Sequence, residues 1–401
     1  MRVLHAIDSI DPALGGPVEA IRHFAAAAGK EGHHVEVVTL DRDISQWRSS
    51  WAVPVHAIPG AFTSYRYNRG LGKWLAENRS RFDVVVVHGL WKFHTVGVWL
   101  ALRHTSTPFF VIPHGMLNPW LKQAYPIKHL KKALLWHALV HPALQASAAV
   151  LFLCEEEPVL AAQTFNLEKC RKEVVPLGIE EPRAAPQGAP GEFLAQYPEL
   201  DGTPYLLFLG RICRMKGCDL LLEAFAATKD PDHGNRLVIA GPDEDGWQAE
   251  LKKRAAELGI GHRVLWTGPL YGERKAEALR NASAFILPSH CETFPVAVLE
   301  ALAYGKPVLI TDKINIWREI DREHAGLIAP DTLAGVAEML RSWFALSPPQ
   351  KAKYGANALS CFRTHFEIAA ATRAHVTVYQ KYLPAVQVAA GGVTEFPICE
   401  S

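Results

Sequence analysis

Short runs of consecutive apolar residues recur along this chain, and most stop at a proline, glycine or histidine before a longer helical stretch begins. Such runs read as strands buried on both faces, which is the pattern of a parallel sheet. In the first half they predict strands over 2–7, 34–40, 83–88, 109–112 and 148–153; in the second half, over 205–209, 237–240, 264–267, 284–287 and 308–311. Helices are expected between them, among them 18–30, 218–228, one starting near Val296, and a last one over about 367–382. Strands alternating with crossover helices argue for open parallel sheets. At 401 residues the chain exceeds what one core serves, so two such units are expected. The segment EPRAAPQGAPG over 181–191 has the composition of an exposed linker. The resulting organisation is 1–185, a linker 186–200, a second unit 201–366, a terminal helix 367–383 and a loose tail 384–401.

Candidate chemistry concentrates in AFILPSHCETFPVAVLEALAYGKPVLIT, residues 284–311. A strand leads through a polar loop, with Glu292, Thr293 and Phe294, to Pro295 and a helix that starts near Val296 and carries Glu300. A helix N-terminus at the carboxyl edge of a parallel sheet offers unpaired N–H groups and positive potential to an anion. Glu300 lies about 6 Å further along the axis at a rise of about 1.5 Å per residue. A diphosphate on the helix end would leave Glu300 near a ribose and Glu292 near the group on the distal phosphate. Carboxylates suit hydroxyls, so the arrangement fits a sugar nucleotide. A second candidate anion site follows strand 2–7, where Gly15 and Gly16 precede a helix; no G-x-G-x-x-G is present. His88 and His114 both fall just beyond strand ends, where ligands of such sheets gather.

The E-x7-E spacing of Glu292 and Glu300, followed by ALAYGKPV, resembles the donor-site signature of retaining GT-B glycosyltransferases of family 4. A second segment is similar to that family: Gly210-Arg211 followed by Lys216-Gly217, a G-R-x4-K-G pattern. The matching motifs extend from Gly15 to Glu300. The resemblance implies an α/β fold of GT-B type: two Rossmann-like parallel-sheet domains facing across a cleft, the C-terminal helix crossing back to the first. It implies that Gly15 and Gly16 face the donor diphosphate and that His114 contacts the donor sugar. Arg211 and Lys216 would neutralise the leaving diphosphate, a planar fork and a mobile point charge respectively. Gly210, Thr293, Phe294, Pro295, Val296 and Glu300 would complete the donor site, with Leu270 and Tyr271 lining the nucleobase pocket. The catalytic set implied is Arg211, Lys216, Glu292 and His114. Two departures stand out: Leu177 replaces the Asn of the family's V-x-P-N-G-V turn, and 313–319, KINIWRE, lacks the glycine pair of many relatives.

The resemblance further implies a retaining transfer from a nucleoside-diphosphate sugar to a glycan or lipid-linked glycan hydroxyl, in surface-polysaccharide assembly, with no required metal or other cofactor. A GT-B phosphorylase, a sugar-nucleotide epimerase and a non-catalytic sugar-nucleotide sensor share the same frame. Net charge is +1, from 42 basic and 41 acidic residues, which speaks against a nucleic-acid partner. Seven cysteines without a C-x-x-C pair fit a reducing cytosol, and the start, MRVLHAID, has no apolar run of signal-peptide length. The segment around Trp120, Lys122, Lys128, Lys131 and Lys132 mixes cations with large apolar residues. It reads either as a surface that docks on an anionic inner leaflet or as a solvated face with snorkelling lysines. His88, Trp91, Asn118, Trp120, Lys122, Lys128, Lys131 and Lys132 are therefore the candidates for acceptor or membrane contact, and the expected location is the cytoplasm or the inner face of the cell membrane.

Overall fold

Four valines and a histidine form the strand Val84–His88, and none of the five is more than 4 % exposed. A run with no polar face can only lie in the middle of a sheet covered on both sides. The computed structural model describes residues 1–12, 16–60, 63–120, 122, 126–182, 191–228, 234–243, 246–293 and 295–383, with side chains of the helix Pro126–Leu135 described from Lys131 onward. Among these, β1 (Arg2–Ile7), β2 (His34–Thr39), β3 (Val55–Ala57), β4 (Val84–His88), β5 (Phe109–Ile112), β6 (Ala149–Phe152) and β7 (Lys172–Val174) form one parallel sheet in the order β3-β2-β1-β4-β5-β6-β7. A second parallel sheet contains β8 (Tyr205–Leu209), β9 (Arg236–Ala240), β10 (Val264–Trp266), β11 (Ala284–Leu287), β12 (Val308–Thr311) and β13 (Gly326–Ala329), ordered β10-β9-β8-β11-β12-β13. Strand order reverses at β1/β4 and at β8/β11, the places where ligands enter such sheets.

Three strands escaped the sequence pattern. β3 (VHA) and β7 (KEV) are three-residue edge strands with too little apolar content to register, and β13 opens on a glycine. A side chain at Gly326 would meet the Val308 carbonyl at 1.9 Å, so only glycine lets β13 pair there. The linker assignment over 186–200 also needs correction. Residues Glu192–Gln196 are helical, Phe193 and Leu200 are buried in the second core, and Glu277 accepts from Phe193 N–H at 2.7 Å. The apolar anchors Phe193 and Leu200 outweigh the Pro/Gly composition that precedes them.

The C-terminal helix Ile368–Lys381 packs on the first lobe, against the helix Gly16–Lys30. Its Tyr379 is fully buried there, with its ring 5.0 Å from that of Phe110. Leu177, at the place where the turn of the resembled family has Asn, is buried in this same apolar cluster. The chain crosses between lobes twice, side by side: Ile179 N–H donates to Phe366 O at 2.9 Å and Ile368 N–H to Ile179 O at 3.0 Å. A Cβ on Gly178 would lie 2.6 Å from Ile368 Cα, so glycine permits the two crossings to touch. No helix among the described residues is long and apolar enough to cross a membrane.

Candidate active site

The carboxyl edge of the second sheet brings three sequence candidates together. After β8 the chain turns at Gly210, passes the exposed Arg211 and makes a 3-10 turn over Arg214–Lys216. Gly217 is left-handed (φ 67°), and a Cβ there would stand 2.2 Å from Pro288 O, so the turn lies directly on the end of β11. His290 N–H donates to Met215 O at 2.9 Å, stitching this turn to the following loop. The result is an ion pair between Lys216 Nζ and Glu292 Oε2, both side chains largely buried. Glu292 is also fixed through its backbone, donating to Lys313 O at 3.0 Å and accepting from Asn315 N–H at 3.0 Å. The segment 313–319 that replaces a glycine turn thus buttresses this carboxylate.

Glu300 lies in the helix Val296–Ala303 and pairs with Lys275 at 2.6 Å, a cation of the helix Gly272–Asn281. They line a cavity of about 250 Å³ that His23 and Ile179 close from the first lobe. Val296 and Tyr271 are exposed, Tyr271 by 74 %, while Pro295 is buried. Leu270 is 6 % exposed within the second core, so its backbone, not its side chain, is what it can offer to a base.

The first lobe contributes the turn after β5. His114 adopts φ 52°, unusual for a residue with a side chain, and Gly115 follows at φ 72°. The turn is anchored by Glu157, whose two oxygens accept from Gly115 N–H and Leu153 N–H, each at 2.7 Å. Burial raises the Glu157 pKa and these two hydrogen bonds oppose the rise. Across the cleft, Thr293 packs directly on Gly115. His114 and the Glu292–Thr293 loop therefore face each other. The lobes are also clamped by Arg318 to Glu156 at 2.5 Å and Arg322 to Glu155 at 2.7 Å. Gly16 opens the helix Gly16–Lys30 with clear space around its Cα; Gly15 and Phe294 lie outside the described residues, as does the Lys128 side chain.

Beside these groups lies a cavity of about 660 Å³ lined from both lobes, by Asn118, Trp120 and Glu156 on one side and Asp312, Asn315 and Trp317 on the other. This is a size typical of small-molecule sites. Asn315 is 2 % exposed and its Nδ2 has no partner among the described residues. Asn118 accepts from Trp120 N–H at 2.9 Å. Trp91 instead packs with the first core, its ring 5.6 Å from Phe165, and Lys132 Nζ sits 4.9 Å above it. Lys122 and Lys131 are exposed, and His88 is buried at the end of β4. Sequence reasoning missed Glu157, Lys275, Asn315 and Trp317. Glu157 follows a predicted strand and Trp317 lies in the departing segment, which are usable signals; Lys275 carries none.

Two family descriptions match the chain: "Glycosyl transferase 4-like domain" over residues 15–178 and "Glycosyl transferases group 1" over 192–359. An alpha-monoglucosyldiacylglycerol synthase of Streptococcus pneumoniae is 28 % identical, over 77 % of this chain and 70 % of that protein. A GDP-mannose:cellobiosyl-diphosphopolyprenol alpha-mannosyltransferase of Xanthomonas campestris is 27 % identical, over 78 % and 79 % respectively. In fold, the chain is similar to Anabaena HepE, solved with UDP, at a TM-score of 0.72 and 16 % identity over 95 % of this chain and 100 % of that one. With one match on each lobe and the two-sheet GT-B architecture around the cleft, the chain belongs to the group 1 glycosyl transferases and is a glycosyltransferase.

Proposed function

We propose that the enzyme moves a sugar, with retention of anomeric configuration, from a nucleoside-diphosphate donor to a hydroxyl of a glycan or lipid-linked glycan. The observation that carries this reading is the meeting of Lys216 and Glu292 at one sheet edge, beside Arg211 and opposite the His114 turn. Arg211, Lys216 and the helix N-termini at Gly16 and Val296 would hold the diphosphate and stabilise its charge as the sugar leaves, a role that needs no metal. Glu292 would orient hydroxyls of the donor sugar, and Glu300 those of the ribose. The bond between the anomeric carbon and the phosphate oxygen breaks, the glycosidic C–O bond forms on the same face, and the acceptor's proton passes to the departing phosphate oxygen. The cavity between Trp120 and Trp317 is the place for the acceptor, since tryptophan faces and unpaired amides suit sugar rings.

The names of the two relatives above, which specify a monoglucosyldiacylglycerol and a cellobiosyl-diphosphopolyprenol, support an acceptor at a membrane surface and a role in surface-glycan assembly. Exposed Lys122, Lys131 and Leu134 lie in the same region and would make peripheral contact with an anionic inner leaflet. A thermal-shift screen of UDP, GDP, ADP and their sugars tests the donor site, because a ligand of the folded state raises its apparent stability. Stabilisation by one nucleotide family, unaffected by a chelator, is expected; none by any of them would reject the reading. Incubation with donor alone should give slow hydrolysis at most. Conversion to an isomeric sugar nucleotide would indicate an epimerase, and phosphate-dependent glycan cleavage a phosphorylase.

A further inference from the structure

Three imidazoles join end to end beneath the cleft. His5 Nδ1 lies 2.7 Å from His88 Nε2, and His88 Nδ1 lies 2.8 Å from His114 Nε2. His5 belongs to β1, His88 ends β4 and His114 stands two residues beyond β5, so the row runs from the sheet interior to the cleft. His5 and His88 are 2 % and 4 % exposed. Burial lowers His5 and His114 to about 3, and His88 well below its usual range. Each ring therefore carries one proton at neutral pH, and each link needs one N–H and one lone pair. The three tautomers are then no longer independent, and only two arrangements make both bonds.

In the outward arrangement His5 donates through Nδ1 to His88, His88 donates through Nδ1 to His114, and His114 keeps its own proton on Nδ1. In the inward arrangement all three protons sit on Nε2. The inner end distinguishes them. His5 Nε2 is buried without a partner among the described residues. Inward, that atom is a stranded N–H; outward, it is only an unused lone pair. Orphaned buried N–H groups are the rarer of the two in folded proteins. The same core contains a direct parallel. His94 Nε2 lies 2.7 Å from the His88 carbonyl and must carry the proton, so its buried, unpartnered Nδ1 is a bare lone pair. His375 stands near the row without joining it, bonded at 3.1 Å to the Tyr379 hydroxyl and at 3.1 Å to the Pro176 carbonyl.

We propose that the row runs outward: His5 and His88 are positioning residues that fix His114 as the Nδ1–H tautomer, so that it presents an N–H donor to an oxygen of the transferred sugar. Only the last clause rests on the proposed donor site. The tautomer itself is a property of the folded chain.

The test is ¹⁵N spectroscopy of the ring nitrogens in the full-length chain labelled at histidine, with the His114 signals assigned by their loss in His114→Gln. A protonated Nδ1 and an unprotonated Nε2 are expected for His114. His5→Asp puts an acceptor where Nδ1 donated, so the row should reverse: His114 should carry its proton on Nε2 and kcat with a nucleoside-diphosphate sugar should fall several-fold, with nucleotide-induced stabilisation unchanged. His5→Asn, whose amide nitrogen can replace Nδ1 as a donor, should keep both as in the unsubstituted chain. A protonated Nε2 on His114 in the unsubstituted chain overturns the proposal, as does a His5→Asp chain with an unchanged tautomer. Should His5→Asp fail to fold, the unsubstituted spectrum decides alone. An Nδ1–H tautomer in a chain that binds no sugar nucleotide would reject the donor site and leave the row standing.

Discussion

Gly115 and Thr293 belong to different lobes and touch: a Cβ built on Gly115 would lie 2.2 Å from Thr293 Cγ2. The contact sets how closely the His114 turn can approach the Glu292 loop. Gly115→Ala should hold the lobes apart and also strain a left-handed backbone, at a cost of roughly 1–2 kcal/mol. Turnover should fall at least about tenfold, while nucleotide still stabilises the protein, because the second lobe is untouched. Pairing it with Thr293→Gly should recover part of the rate. Full activity in the single variant would show that the lobes do not need this approach.

Lys216 and Glu292 neutralise each other at the sheet edge, so a donor diphosphate must compete with Glu292 for the ammonium. Lys216→Ala and Arg211→Ala should each lower kcat/KM by about 10²-fold or more, as for other groups aimed at charge that develops in the transition state. Circular dichroism should stay close to that of the unsubstituted protein in both variants, with a lower melting point in Lys216→Ala, where the largely buried Glu292 loses its partner. Unchanged transfer in the double variant would remove the pair from the mechanism.

Glu157 accepts two buried backbone N–H groups, and one of them holds the turn that carries His114. In Glu157→Gln, one of those N–H groups faces an amide NH₂ and loses its acceptor, a cost of roughly 1–3 kcal/mol. A melting point lower by several degrees is expected, with reduced turnover. A variant identical to the parent in both would mean the turn is held by other contacts.

The fold was legible because strands buried on both faces write themselves as apolar runs, as in Val84–His88 and Ala284–Leu287. Edge strands such as Lys172–Val174 carry no such signal, and the start of the second lobe was obscured because Phe193 and Leu200 are isolated anchors behind a Pro/Gly stretch. At the site, Arg211 and Lys216 were marked by a motif that resembles the family's, and Glu292 and Glu300 by such a motif and by their places around a helix N-terminus. The residues that hold the catalytic candidates were not. Glu157 acts on Gly115 from 42 positions away, and His5 on His88 from 83, distances that only the strand order brings together.

Trp317 and Asn315 form the second-lobe wall of the larger cavity, in the segment that departs from the glycine-pair turn of relatives. If the acceptor lies there, Trp317→Ala should raise the acceptor KM about tenfold and leave nucleotide-induced stabilisation intact. Asn315→Ala should act in the same direction with a smaller effect, since one hydrogen bond to a neutral partner is worth about 1 kcal/mol. An altered donor preference with an unchanged acceptor KM would move this wall to the donor sugar.

Acid should destabilise this protein earlier than its carboxylates alone would predict. Burial lowers His5 and His114 to about 3 and His375 to about 4, with His88 also well below the usual 6.5. Above pH 6.5 both folded and unfolded chains hold these rings neutral, so they give no slope. As pH falls below that value the unfolded chain takes up protons the folded chain refuses, and stability is lost continuously toward the folded values. Each fully buried ring contributes a slope of up to about 1.4 kcal/mol per pH unit in that window. Glu157 and Glu319, raised by burial, act in the opposite sense and moderate the fall. Urea titrations should give a nearly level unfolding free energy from pH 8 to pH 7 and a steep decline from pH 6 to pH 5. His5→Phe should make that decline shallower by about one proton. A level profile down to pH 5 would mean that these rings are hydrated or already protonated in the folded state.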